Sequence, residues 1–201
     1  MTTTTEPAGP AGAPAGALAW AHPPGRLPDL LPRARTRPGT WFDLHRSGAL
    51  VAVADGTAAR CAALAVPAVR AAALASLVPA RAALARTAAA WVHVGGPPPT
   101  RVEVVVPTGA RRVDPHPGRV ALEAALPAAD LVTLGPVRVT TPARTAADVA
   151  RALPPEDARP WLRRLADGGL EVRDVLDALA ARPGGRGVRQ ARALLLELGG
   201  T

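Results

Sequence analysis

The stretch Val137–Arg151, VRVTTPARTAADVAR, constrains the fold more than any other part of the chain. Val137 and Val139 alternate with Arg138 and Thr140, the period of a half-buried strand. Thr141 then offers a hydroxyl to cap a helix. Pro142 suits the first helical position, where a missing N–H costs nothing. Within that helix Arg144, Asp148 and Arg151 share one face, and Ala143, Ala146, Ala147 and Ala150 form another. An alanine face lets a helix lie close to a sheet. The junction therefore predicts a fold in which a strand feeds a closely packed helix.

Much of the 48% hydrophobic content is Ala and Val, and aromatic residues are only 2%. Lys, Ile, Asn and Tyr are absent, so all 24 basic residues are Arg. That is the mark of a GC-rich coding bias, and it weakens any argument from arginine number alone. The net charge is +8, with nine Arg against four acids in the first hundred residues and fifteen against twelve in the rest. A basic excess weighted to the front favours polyanions, nucleic acid first among them. Cys61 is the single cysteine, so no internal disulfide forms. The N-terminus carries Glu6 and no basic region, so a secretory signal is not expected. No run of eighteen apolar residues escapes Pro, Gly or charge, so no membrane span is expected. The expected compartment is the cytoplasm.

Residues 1–25 are low in complexity and read as a disordered leader, with Trp20 as its one large apolar group. In residues 26–65, Leu27, Leu30 and Leu31 predict one turn of apolar helix. Arg33, Arg35 and Arg37 follow in a segment broken by Pro38 and Gly39. WFDLHRSG reads as a short helix ending at Gly48. ALVAVADGTAA reads as a strand, an Asp55–Gly56 turn and a return strand. Helix, glycine and hairpin outline a winged-helix end.

Two alanine-rich helices are expected next. One starts at Pro67, with Val66, Val69, Ala73, Leu74 and Leu77 for burial. The other follows Pro79 as ARAALARTAAAWVHV and ends at Gly95–Gly96. His93 has no second ligand at metal-site spacing and reads as a packing or capping histidine. From Thr100 the pattern changes to four short strands, RVEVVVP, GRVALEAAL, DLVTLG and VRVTT, which predict a small mixed or mostly antiparallel sheet. The polar loop TGARRVDPHPG between the first two carries Arg111 and Arg112. The tail is helical. In it Pro160 must bend or split PPEDARPWLRRLADGG, and Val172, Val175, Leu176 and Leu179 form an apolar stripe. Val188, Ala191, Leu195 and Leu198 turn inward on the last helix, with Arg186, Arg189 and Arg192 outside.

An enzyme is not expected. Arg144 and Asp148 lie one turn apart, as a structural ion pair does. Asp130 and Asp114 are candidate second acids, and neither sits in a recognisable motif. There is no phosphate-binding glycine loop, and Ser47 and Ser76 lack a nucleophile's context. No cofactor and no metal site is implied.

The order of these pieces resembles the AbiEi-type antitoxins of type IV toxin–antitoxin systems, in the actinobacterial form. TPARTAADVAR is similar to the family's "T-S/T-P-A-R-T-x-x-D-x-A" core, which places Thr141, Pro142, Arg144, Thr145 and Asp148 in a structural motif. ARTAAAWVHVGG, RVEVVVPTGARR and GGRGVRQARALL are similar to three further segments, so the match runs over roughly residues 47–198. The resemblance implies an α+β protein in two parts. A winged-helix-like segment at 26–65 would bind DNA and repress its own promoter. An α/β antitoxin domain at 66–201 would counteract a nucleotidyltransferase-like toxin encoded nearby. The family's wing ends in basic and aromatic residues where this chain reads ADGTAA, so the segment is a degenerate winged helix. Many relatives continue into an endonuclease domain like the very-short-patch repair nucleases. That activity is not expected here, because the sequence ends at Thr201 after the last helix. The candidate DNA contacts are Arg33, Arg35, Arg37, Arg46, Arg111 and Arg112. The alternative is a protein-interaction module, derived from a nuclease-fused relative, that binds no DNA.

Overall fold

A computed structural model describes residues 27–182 and 186–199. The leader at 1–25, with Trp20, lies outside the described residues. The fold is α+β. A three-stranded sheet and a five-stranded sheet pack with helices, and four helices close the chain.

The first sheet combines β1 (Leu30–Pro32), β2 (Leu50–Ala54) and β3 (Thr57–Arg60) in the order β1-β3-β2, antiparallel throughout. Leu30 and Leu31 are thus strand residues, not a helical turn. A three-residue strand has no helical period to contradict, and its ladder to Ala58 and Ala59 decides its state. Arg33–Arg35 form one 3-10 turn. Helix α1 then runs over Pro38–Arg46. Pro38 does not break the segment. It occupies the first turn of α1, where its fixed φ is already helical. Asp55 and Gly56, at φ +48° and +66°, make the tight turn between β2 and β3. Leu31, Leu50 and Ala58 form a small core beneath α1, packed by Trp41 and Leu44.

Helix α2 spans Pro67–Ala73 and α3 spans Arg86–Val94. Between them lies β4 (Ala83–Leu84), which the alanine-rich sequence places inside a helix. A two-residue apolar strand carries no period of its own. It is nevertheless the middle strand of the second sheet, ordered β6-β5-β4-β8-β7. Here β5 is Val102–Pro107, β6 Arg119–Ala124, β7 Leu131–Leu134 and β8 Val137–Thr140. Strand β4 runs antiparallel to β5 and parallel to β8. The β5–β6 pair is parallel and β7–β8 antiparallel, so the sheet is mixed.

One face of this sheet buries Leu84, Val102, Val104 and Val139 against Leu74 and Leu77 and against Trp91 and Val92 of α3. Val53 and Ala59 of the first sheet join the same core. Val66, expected inside, is 49% exposed, because α2 begins only at Pro67 and turns Arg70 inward instead. The other face of the sheet is thinly covered: its Ala83 and Val105 form a small cluster with Ala85, against which Leu126 and Leu131 pack.

Strand β8 leads directly into α4 (Pro142–Ala152). Behind it stand α5 (Pro155–Asp167), α6 (Val172–Ala180) and α7 (Val188–Gly199). Ala146, Ala147 and Ala150 of α4 are buried among Leu162, Leu165, Val175, Leu179 and Leu195. Helix α5 is not split at Pro160. The carbonyl that Pro160 leaves without a helical donor is that of Glu156, an exposed residue in the first turn, where the loss of one bond costs least.

Candidate functional site

The arginines named as DNA contacts divide into distinct environments. Arg35 and Arg37 are exposed in the turn that leads into α1, and neither has an acidic partner among the described residues. Arg33 is half-buried. Its guanidinium stacks 5.3 Å from the Trp41 ring centre and 5.0 Å from that of Phe42. Its Nη1 has no hydrogen-bond partner. Arg46 is exposed and pairs with Asp43 at 2.8 Å, one turn back on α1. Arg111 and Arg112 are exposed in the loop between β5 and β6. His116 of that loop stands 3.8 Å from Asp55, which brings the loop against the hairpin tip. The tip is further held by a hydrogen bond from Arg33 N–H to Gly56 O at 2.7 Å. Beside these cations, Phe42 presents a 62% exposed ring.

The motif on β8 and α4 is built from buried polar groups. Thr141 accepts from Arg144 N–H at 3.4 Å and so caps α4. Thr145 Oγ1 donates to Thr140 O at 3.1 Å. Its one hydroxyl hydrogen is thereby used, so Thr140 Oγ1 is the donor in the 2.6 Å contact between the two hydroxyls. Thr140 O also accepts from His93 Nε2 at 2.7 Å. A carbonyl only accepts, so His93 carries its proton on Nε2. Burial pushes the His93 pKa down. The bond to Thr140 opposes that shift and the nearby Arg70 charge adds to it.

Arg70, 5% exposed, donates to Leu64 O, Val92 O and His93 O. It thus satisfies the carbonyls that end α3. Burial lowers its pKa too. Nothing in the run PAVRAAA marks Arg70 as different from a surface arginine.

Arg144 is 3% exposed. Its Nε donates to Asp148 Oδ2 at 2.6 Å, and its Nη1 donates to Asp130 Oδ2 at 2.6 Å and to Ala125 O at 3.4 Å. Arg182, after α6, also binds Asp130. Two guanidiniums and two carboxylates balance, which is what a buried charge cluster requires. Asp130, a stray acid in the sequence, is its hub. Asp114 is absent from it. Among the described residues no group of three metal-ligating side chains converges.

The Arg144 cluster forms one wall of an open groove of about 760 Å³. Val105, Leu122 and Ala124 line its floor, from the thinly covered face of the sheet. Arg86, Arg151 and Arg186 complete its rim. In the sequence Arg186 reads as part of a solvated outer stripe with Arg189 and Arg192. The structure separates it from them by placing it on the groove.

No family model and no curated protein matches this chain. Among solved structures, the Rv2827c protein of Mycobacterium tuberculosis is similar. It is 19% identical with a TM-score of 0.44, over 84% of this chain and 71% of that one. A likeness at that level carries no argument about function. No helix among the described residues is long and apolar enough to cross a membrane.

Proposed function

We propose that the chain is a non-enzymatic antitoxin and transcriptional regulator of the AbiEi type, which binds DNA at its own promoter. The observation that supports this reading is the order of elements at the front of the chain. Strand β1, helix α1 and the β2–β3 hairpin, joined as β1-β3-β2, follow the order of the strands, recognition helix and wing of a winged helix, with a 3-10 turn where its preceding helix would stand. Arg35 and Arg37 stand at the N-terminal end of α1, and Arg46 at its C-terminal end. Arg111 and Arg112 share a loop that reaches the hairpin. In this reading the exposed arginines meet phosphates, α1 enters a groove, and the Arg144 motif holds the rest of the chain together. A gel shift with the promoter region at low and moderate salt tests the regulatory half. Folded protein that shifts no promoter fragment at low salt ends that half. Rescue of growth on co-expression with a neighbouring nucleotidyltransferase-like toxin tests the other half.

A second reading is favoured by one observation. The hairpin tip carries no basic side chain and is tied down through Gly56 O and Asp55. A wing so held makes few phosphate contacts. On that reading the chain is a protein-interaction module. It predicts no gel shift, together with a stable complex with the toxin.

A further inference from the structure

The groove beside α4 holds more guanidinium than it uses. Arg144 and Arg182 are committed to Asp130 and Asp148, and Arg86 pairs with Glu103 at 3.3 Å. Arg151 and Arg186 have no carboxylate partner among the described residues, yet the backbone brings them together. Arg151 Nε donates to Arg186 O at 3.5 Å. Gly187, at φ +84°, lets the chain press onto the last turn of α4, where a Cβ would lie 2.2 Å from Arg151 O. Only glycine allows that approach. Two acids line the groove, Glu123 and Asp148, and neither pairs with Arg151 or Arg186. Asp148 binds Arg144, and Glu123 accepts from Gly109 N–H at 2.9 Å.

Two like charges gathered in a concave site repel unless an anion joins them. Guanidinium forks match the paired oxygens of phosphate. Two unpaired cations lining one groove fit a compact, multiply charged group better than the spaced carboxylates of an acidic peptide. The apolar floor of Val105, Leu122 and Ala124 suits an organic group carried by that anion. The groove's volume of about 760 Å³ is that of a small-molecule site.

We propose that this groove binds a phosphate-bearing ligand, with Arg151 and Arg186 as its anion contacts and Gly187 as the residue that positions them. The phosphate belongs to a free nucleotide or to a nucleic-acid strand. No residue lining the groove precedes Ala85, so the site stands apart from the contacts proposed for α1.

Titration calorimetry on the full chain at low ionic strength tests the proposal, with pyrophosphate, ATP and a short single-stranded oligonucleotide as probes. The expected result is saturable, single-site binding of at least one probe, weakened about tenfold or more by R151Q/R186Q. The control R189Q/R192Q removes the same charge from the exposed side of α7 and is expected to change affinity by less than about twofold. Binding of ATP without the oligonucleotide assigns the phosphate to a free nucleotide. The converse assigns it to a strand. Binding of none of the probes overturns the proposal. So does equal weakening by both double variants, or tighter binding of an oligoglutamate peptide than of every phosphate probe. If R151Q/R186Q fails to fold by circular dichroism, R186Q alone replaces it, since that side chain is exposed. It is expected to weaken binding at least about threefold, and an unchanged affinity overturns the proposal.

Discussion

Asp130 and Arg144 meet at 2.6 Å although 14 residues separate them, and through Asp130 the guanidinium of Arg144 is tied to that of Arg182. The contact joins the loop before β7 to α4 and to the end of α6. Replacing Asp130 by Ala leaves Arg144, at 3% exposure, with one carboxylate in place of two, and leaves Arg182 with none. Breaking a buried ion pair from one side costs about 3–5 kcal/mol, and the slight exposure of Asp130 puts the expected loss near the lower figure. Urea denaturation of D130A measures it. A midpoint equal to that of the unaltered protein contradicts the structural role given to this cluster.

Glu103 performs a capping task from a neighbouring strand. Its Oε2 accepts from Thr87 N–H at 3.1 Å and from Thr87 Oγ1 at 2.7 Å, at the start of α3. The same carboxylate pairs with Arg86, whose φ of +48° marks the sharp exit from β4. E103A removes an N-terminal cap and is expected to destabilise the protein by about 1–2 kcal/mol. E103Q keeps an acceptor and is expected to lose less. The ranking of the two midpoints in the same denaturation experiment is the check, and a reversed order rejects the capping role.

These two cases show what was legible in the sequence. The β8–α4 junction could be read because Thr141 and Pro142 act locally and the valine and alanine periods are clear. The Asp55–Gly56 hairpin could be read for the same reason. Strand β4 could not, because two residues in an alanine-rich run have no period, and only pairing to Val104, Val105 and Val139 makes them a strand. Asp130, Glu103 and Arg70 look like surface charges in the sequence, and apart from Leu64 O, six residues from Arg70, their partners lie 14 to 52 residues away. The groove was hidden for the same reason. Arg186 has the helical spacing of a solvated stripe, and only the approach permitted by Gly187 seats its backbone against Arg151 at the groove.

His93 makes stability depend on pH. Burial holds its folded-state pKa below the ordinary histidine value, so between those two values the unfolded chain binds the extra proton. Stability therefore rises with pH across that window. The contribution is fully present above the ordinary histidine range, near pH 6.5, and is lost as pH falls through the folded-state value. The melting temperature is expected to drop between neutral and mildly acidic pH. H93Q can still donate to Thr140 O but does not titrate, so its melting temperature should fall less over the same interval. Parallel curves for the two proteins remove His93 as the cause.

The front of the chain yields a prediction that separates charge from packing. Arg35 and Arg37 are exposed and without acidic partners, so their role in the proposed DNA contact is electrostatic. Each phosphate left without its cation lowers the slope of log affinity against log salt by about 0.9. R35Q/R37Q is expected to weaken promoter binding, to reduce that slope by roughly 1.8, and to leave the melting temperature unchanged. Arg33 differs, because its guanidinium packs on Trp41 and Phe42. R33Q should lower the melting temperature, with a change in DNA affinity that follows from a disturbed α1. Fluorescence anisotropy across a salt series measures both. If R35Q/R37Q keeps the full slope, these two arginines touch no phosphate, and the interaction-module reading takes over for this end of the chain.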